Sequence, residues 1–277
     1  MSTTFFNASP DLNLRARSKA LWESGDFGVV AKYNEPVAAE FMSRQSLRPG
    51  ARVLDLACGN GNLAVLAARA GCVANGLDLA ANLIAQARCR AQKENLVIEF
   101  TEGDAEALPY PDATFDLVVS MFGVMFAPRP ERAAAEFLRV CRPGGVIALA
   151  NWTAEGFVGE NLRVVGRHVP PPSGGPSPLQ WGNEETVRQR LGAQVAQLRL
   201  TRHIARLRYP FGPTQTVNFF RQFYGPTLRA FASLNPDAQG RLHRDLEQMF
   251  RDHSRAGDGV TEVEADYLEV VAIKRCD

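Results

Sequence analysis

Ala51-Arg52-Val53-Leu54-Asp55-Leu56-Ala57-Cys58-Gly59-Asn60-Gly61-Asn62-Leu63 decides how the rest of this chain is read. Residues 53–57 form an apolar run with one carboxylate inside it. The chain then breaks into Gly59-Asn60-Gly61 and continues as the helix-prone residues 63–70, which spells strand, tight turn, helix. Two glycines at such a turn permit positive φ and leave no Cβ to hold a ligand off the backbone, while the next helix presents unpaired N–H groups at its start. A ligand is therefore expected against this loop. Gly59-x-Gly61-x-x-Ala64 fits the fingerprint G-x-G-x-x-G/A, a loop shared by nicotinamide, flavin and other nucleoside-binding proteins. Asp55 narrows the choice: close to the C-terminal end of its strand, its charge would repel a pyrophosphate and suit a cationic ligand.

Outward from the loop, strand and helix alternate. Residues 72–79 read as a second apolar strand ending in Asp78, close to the spacing at which such a strand end meets a nucleoside ribose; its carboxylate can accept from two vicinal hydroxyls. Asn82 opens a helix to about residue 92, and residues 97–102 are a third strand, followed by the turn Gly103-Asp104-Ala105-Glu106. Residues 115–123 are a dense apolar strand of the kind buried on both faces of a parallel sheet, with its exit, residues 120–125, at the edge where open α/β sheets bind ligands. A helix over residues 131–141 is stopped by Arg142-Pro143-Gly144-Gly145, and residues 146–150 give a fifth strand.

Three pieces in order, D-x-A-x-G-x-G at residues 55–61, G-D-A-E-x-L-P-Y-P-D-x-x-F-D at 103–116 and R-P-G-G-V-I at 142–147, together with Asp78, resemble the class I S-adenosylmethionine-dependent methyltransferases. The flavour is that of the ubiquinone/menaquinone C-methyltransferase-like small-molecule enzymes, over roughly residues 51–152. The resemblance implies S-adenosyl-L-methionine (SAM) as cofactor, S-adenosyl-L-homocysteine as product, and a Rossmann-like seven-stranded sheet with an antiparallel terminal strand. It also implies a cofactor site drawn from Tyr33, Asp55, Ala57, Gly59, Gly61, Asn62, Asp78, Leu79, Asn82, Asp104, Ala105, Glu106, Ser120 and Met121. In that site Asp104 accepts from the adenine amine and the Ala105 amide meets a ring nitrogen, a donor set that suits adenine chemically. In such enzymes a segment like residues 25–33, a flexible stretch with two rings, commonly folds over the cofactor with a Tyr near the methyl donor. The plainer reading is that Phe27 and Tyr33 pin the arm to the core.

The expected organisation is a helical arm or lid over residues 1–50, with helices at 11–22 and 36–45, and a cofactor-binding core over 51–210. A helical cap follows over 211–262, and residues 263–277 complete the core sheet as its last strand. From Trp152 the composition shifts: residues 170–178 are a proline and glycine loop, 184–191 a short helix, and 195–207 a sixth strand or a pair of extended pieces. Residues 213–255 carry two amphipathic helical stretches rich in rings, among them Phe219, Phe220, Phe223 and Phe231, and this cap is the candidate acceptor pocket.

With 31 basic and 30 acidic side chains the net charge is +1, which gives no support for a broad nucleic-acid footprint. Five cysteines, odd in number and without a C-x-x-C pair, argue against a disulfide framework or a zinc site and fit a reducing cytoplasm. Residues 1–7 lack the pattern of a signal peptide, and no apolar run reaches the length of a membrane span. The partner expected is a small-molecule acceptor, without nucleic acid or metal; the sequence leaves the oligomeric state open.

Methyl transfer from a sulfonium is an in-line displacement in which alignment does most of the work. A general base is needed only where the acceptor holds its proton; Tyr33, His168 and His203 are candidates that the sequence does not single out, beside His243, His253, Tyr209 and Tyr224. Arg199, Arg202, Arg206 and Arg208 are the one local group that could meet a phosphate-rich acceptor, with Arg202, Arg206 and Arg208 on one strand face. The competing classes are a nicotinamide-dependent oxidoreductase, which Asp55 and the Asp104-Ala105 pair speak against, and a SAM-fold regulatory or binding protein without transferase activity.

Overall fold

A computed structural model describes residues 10–171, 175–257 and 259–276. Readings that fall on residues 1–9 or 172–174 lie outside it.

Seven strands form one sheet: β1 (Arg52–Leu56), β2 (Val73–Asp78), β3 (Ile98–Glu102), β4 (Phe115–Met121), β5 (Cys141–Trp152), β6 (Val195–Tyr209) and β7 (Thr261–Lys274), in spatial order β3-β2-β1-β4-β5-β7-β6. β1 to β5 are mutually parallel, while β7 runs antiparallel to both β5 and β6. This is the Rossmann-like sheet with an antiparallel terminal strand that the sequence leads one to expect. Because the first five strands share a direction, the exits at Leu56, Asp78, Glu102, Met121 and Trp152 gather along one edge, and the reversal of strand order beside β1 opens a crevice there.

The helices between strands are α4 (Asn62–Arg69), α5 (Ala81–Lys93) and α6 (Pro130–Val140); α4 and α5 pack on β1 to β3 and α6 on β5. Their inward residues continue the sheet's apolar core, in which Leu54, Phe115 and Phe137 are fully buried. At α5 these are Leu83, Ile84 and Ala87, at helical spacing.

The structure departs from the sequence reading in several places. Cys141 already pairs with Phe115, and the ladder resumes at Val146 after a register shift, so β5 includes the Arg142-Pro143-Gly144-Gly145 run that was expected only to stop a helix. Residues 25–33 are not a loose stretch: they form α2 (Phe27–Ala31) and the start of a 3₁₀ turn, Lys32–Asn34, between α1 (Pro10–Glu23) and α3 (Glu35–Ser43). An unexpected helix, α7 (Phe157–His168), follows β5; two glycines within it dilute its apolar pattern, and Gly159 is needed because a Cβ there would collide with the Ala154 carbonyl oxygen. After α8 (Glu184–Leu191), β6 is one continuous strand. The cap has three helices, not two: α9 (Pro213–Phe223), α10 (Gly225–Ala232) and α11 (Pro236–His253). The extra break falls at Tyr224-Gly225-Pro226, where Tyr224 is extended and Pro226, with no N–H to give to the preceding turn, can begin a helix but not continue one.

Arm and sheet are tied by a buried polar group. Arg44, just after α3, donates from Nε to Glu269 Oε2 at 2.8 Å and from Nη2 to the Tyr267 hydroxyl at 2.7 Å, and Glu269 is 2% exposed. On the other face of β6 the basic side chains meet acids: Arg208 lies 2.9 Å from Glu262, Arg206 3.5 Å from Glu264 and Arg202 3.6 Å from Glu155.

Candidate functional site

At the sheet's C-terminal edge lies a cleft enclosing about 970 Å³ of empty space, its open mouth included. The sheet wall is built on strand exits. Asp55, on β1, is 2% exposed and its Oδ2 accepts from Ala64 N at 2.9 Å, at the start of α4. Asp78 ends β2, with Oδ2 accepting from Gly59 N at 2.8 Å and Oδ1 from Ala80 N at 2.9 Å, so it braces the glycine loop and the entry to α5 together. Asp104, beyond β3, accepts from Glu106 N at 2.9 Å and lies 3.6 Å from Arg15 of α1.

Burial raises the pKa of both inner carboxyls. Asp55 is pushed from the ordinary 3.8 up to about 7, first by desolvation and then by the neighbouring Asp78 charge, against the Ala64 and Leu63 N–H groups that favour its ionised form. Asp78 is also raised by burial, opposed by N–H donation from Ala80 and Gly59. Two desolvated carboxyls close together in a cleft are unfavourable alone and are relieved by a cationic ligand.

The backbone is strained where β1 and β4 end. Ala57 and Phe122 have φ of +54° and +57°, and a Cβ on Gly123 would collide with the Ala57 carbonyl oxygen and Cβ. Two non-glycine residues in the left-handed region facing one cleft is the kind of local cost that packing must hold in place. Phe122 is held by a stack on Trp152, ring centroids 3.5 Å apart, and by an edge contact with Tyr267 at 5.5 Å.

The arm forms the opposite wall with Ser18, Trp22, Phe27, Ala31 and Asn34. Phe27 lies over the loop: a Cβ on Gly59 would meet its ring at 3.7 Å. Asn62 donates to Ala31 O at 3.1 Å and Asn60 to Gly28 O at 3.4 Å, so the two asparagines of the Gly-Asn-Gly-Asn run fasten α2 across the loop. Lys19 reaches Leu79 O at 3.2 Å and Glu102 at 2.6 Å beside the second and third strand exits.

Of the residues singled out from sequence, Asp55, Ala57, Gly59, Asn62, Asp78, Leu79, Asp104, Ala105 and Met121 line this cleft together. Five are held elsewhere. Gly61, with φ of +84°, turns into α4 with its Cα against the Phe100 ring. Ser120 is buried, donating to Leu56 O at 2.6 Å and accepting from Val124 N at 3.0 Å. Glu106 is buried in an ion pair with Arg129. Asn82 donates to Gly25 O at 3.3 Å, with its Oδ1 buried and unpartnered. Tyr33 packs among Tyr209, Phe211 and Phe219, with ring centroids 4.8 to 6.3 Å away. His168 joins Asp245 of α11 at 2.7 Å, and His203 stacks on Tyr267 with Nε2 3.7 Å from Glu269; neither is among the residues lining the cleft.

Sequence reasoning missed Ser18, Trp22, Asn34, Asn60 and Phe126 as cleft residues. Ser18 and Trp22 are four apart on one helix face, the only signal available in advance. Phe126 is invisible until the chain after β4 folds back onto Trp22, 5.1 Å between ring centroids.

A methyltransferase-domain family model matches residues 54–149, the segment that carries the glycine loop and all three carboxylates. An uncharacterized protein of Mycobacterium tuberculosis is 36% identical over 273 residues, covering 97% of this chain and 98% of its own. A phosphatidylethanolamine N-methyltransferase of Cereibacter sphaeroides is 35% identical over 143 residues, 51% of this chain and 69% of its own. Among solved structures, the YcgJ protein of Bacillus subtilis superposes with a TM-score of 0.60 at 20% identity, covering 87% of this chain and 99% of its own, which speaks to the fold. With the sheet order, the carboxylates at three successive strand exits and these relatives, the chain belongs to the class I S-adenosylmethionine-dependent methyltransferases.

Proposed function

We propose that this chain binds SAM in the cleft and transfers its methyl group to a small, substantially apolar or aromatic acceptor held between the arm and the cap. The observation that carries the reading is the set of polar groups on the sheet wall, three carboxylates that accept and one amide that donates. Asp55 suits the ammonium, Asp78 the two ribose hydroxyls, and Asp104 with the Ala105 amide the adenine edge. A cation beside Asp55 would relieve the like-charge and desolvation cost that lifts its pKa.

SAM supplies an electrophilic methyl on a sulfonium. The chain's own residues bind, align and exclude water: Trp22, Phe27, Phe122 and Phe126 wall the cleft with rings, and the arm covers the loop through Asn60 and Asn62. Tyr224, whose ring meets Trp22 and Phe27 of that wall, is a poor base, because burial raises its pKa above the usual phenol range. On this reading residues 1–50 act as the lid, 51–210 as the cofactor core, 211–262 as the acceptor-side cap and 263–277 as the closing strand. The five free cysteines fit a reducing cytoplasm. Among the described residues no helix is long and apolar enough to cross a membrane.

The test is calorimetry with SAM, S-adenosylhomocysteine and NAD, followed by a turnover screen for S-adenosylhomocysteine formation over apolar, phenolic, amine and phosphate-bearing acceptors. One SAM site per chain and turnover with an apolar or aromatic acceptor is the expected result. NAD binding without SAM binding would overturn the cofactor assignment, and turnover confined to phosphate-bearing acceptors would overturn the acceptor class.

A further inference from the structure

Arm and cap cross each other backbone to backbone at one point. Gly25, between α1 and α2, lies against the α9–α10 junction: a Cβ on Gly25 would collide with the Phe223 carbonyl oxygen and with Gly225 N. Reciprocally, a Cβ on Gly225 would collide with the Leu21 carbonyl oxygen. What glycine supplies here is closeness of two main chains. The crossing is hydrogen-bonded, Asp26 N donating to Phe223 O at 2.9 Å, and Arg229 of α10 donates to Ala20 O of α1 at 3.2 Å.

Tyr224 sits at the crossing. Its ring meets Trp22 at 6.0 Å and Phe27 at 6.1 Å, both cleft-lining, and Phe220 of the cap at 5.8 Å. On its other side the same arm segment is fastened to the cofactor half, through Asn60, Asn62 and Asn82 and through Gln86, which donates to Asp26 Oδ1 at 2.9 Å. Residues 25–31 are thus gripped by the glycine loop and α5 below and by the cap above.

We propose that the Gly25–Gly225 crossing, with Tyr224 as its positioning residue, joins arm and cap into a single lid, so that a cofactor held under the arm sets the position of the acceptor-side cap. This rests on the SAM reading above. Tyr224 acts through Trp22 and Phe27. A cofactor that orders those two rings orders α9 and α10 as well, because Tyr224 packs on both rings and main chain meets main chain at Gly25 and Gly225. The acceptor pocket is then completed only after the cofactor is in place, which is a coupling between two sites through one shared element.

The experiment is hydrogen exchange on the full chain with S-adenosylhomocysteine as the probe, comparing the natural protein with Gly225→Ala, Tyr224→Ala and Tyr224→Phe. At ligand about 100 times its Kd, opening that requires release of the ligand slows by up to about 100-fold. In the natural protein this slowing is expected at residues 25–31 and equally at 219–228. In Gly225→Ala and Tyr224→Ala the arm keeps its protection and the cap loses it, while Tyr224→Phe retains both. Circular dichroism and the thermal midpoint establish that each variant is folded; should Gly225→Ala fail to fold, the Tyr224 pair, which adds no atoms, carries the test. Protection of the arm alone in the natural protein, or cap protection that survives Tyr224→Ala, overturns the single lid. Calorimetric silence toward SAM and S-adenosylhomocysteine would instead bring down the cofactor reading, and this proposal with it.

Discussion

The two walls of the cleft are made on different principles. The sheet wall sets three carboxylates at the ends of β1, β2 and β3 and locks each with main-chain N–H donors: Asp55 on Ala64, Asp78 on Gly59 and Ala80, Asp104 on Glu106. The facing wall consists of rings in edge contact, Trp22 of the arm with Phe27 and Phe126, backed from behind by Tyr224 of the cap and a backbone crossing between glycines. Fixed charge selects by electrostatics and donor geometry, whereas packed rings select by shape. The first wall therefore discriminates by the polar groups a ligand carries and the second by its outline.

Removing the buried charge gives the sharpest break between the walls. Asp55 has a pKa of about 7 in the fold against an ordinary 3.8. Between those values the native chain holds a proton that the unfolded chain has released, so Asp55's contribution to stability falls as pH rises through that window and its ionised form is penalised above about 7. Asp55→Asn should therefore flatten that part of the pH dependence and leave the variant more stable than the natural protein at pH 8. SAM affinity runs the other way. The natural protein's Kd should tighten as pH rises through about 7 and the carboxylate ionises, while the variant stays flat there and binds roughly 10- to 100-fold more weakly, the loss of one charge-assisted contact. Urea unfolding and calorimetry at pH 5 and 8 measure both. Identical pH slopes in the two proteins would show that Asp55 does not titrate there.

The ring wall should respond in the opposite sense. Phe220→Ala with Phe223→Ala removes two partly buried rings of the cap and no charge, so SAM affinity should hold while kcat/KM for the acceptor falls by about tenfold or more, in the range that hydrophobic pocket contacts command. Turnover and calorimetry on a variant shown to be folded decide it. Full activity would mean that these rings only build the cap's own core.

How far each wall can be read in advance follows from the same contrast. That Asp55, Gly59, Asp78 and Asp104 meet at one cleft is legible because each sits at a short, fixed distance from a strand end, so the pattern is local. The parallel order of β1 to β5 and the antiparallel β7 follow from strand and helix alternation with a β-branched last strand. Trp22, Asn34 and Phe126 are not legible, since they meet the cleft only after segments about a hundred residues apart have packed. Tyr33 shows the converse: a ring in the right segment, between the cleft residues Ala31 and Asn34 but packed away from the cleft against Tyr209 at 4.8 Å. Asn62 was expected at the cofactor and does line the cleft, but its amide is spent on Ala31 O, a second use of the loop that no motif encodes.

The smallest expected effect tests whether charge has any part in the acceptor side. Arg202, Arg206 and Arg208 share one face of β6, which by sequence alone could receive a phosphate. In the fold each has an acid beside it, Glu155, Glu264 and Glu262 respectively, and their side chains are 51%, 76% and 66% exposed. Exposed pairs of this kind contribute about 0–1 kcal/mol each and are screened by salt. None of the three arginines lines the cleft. Replacing all three with Ala should therefore leave SAM affinity and acceptor KM unchanged and shift the thermal midpoint only slightly, with no change in the dependence of KM on ionic strength from 50 to about 200 mM, where a phosphate-bearing acceptor steered by these charges would be strongly screened. A rise in acceptor KM that is largest at low salt would mean that the strand's basic face captures the acceptor before it reaches the rings, and the division between a charged cofactor wall and an uncharged acceptor wall would have to be given up.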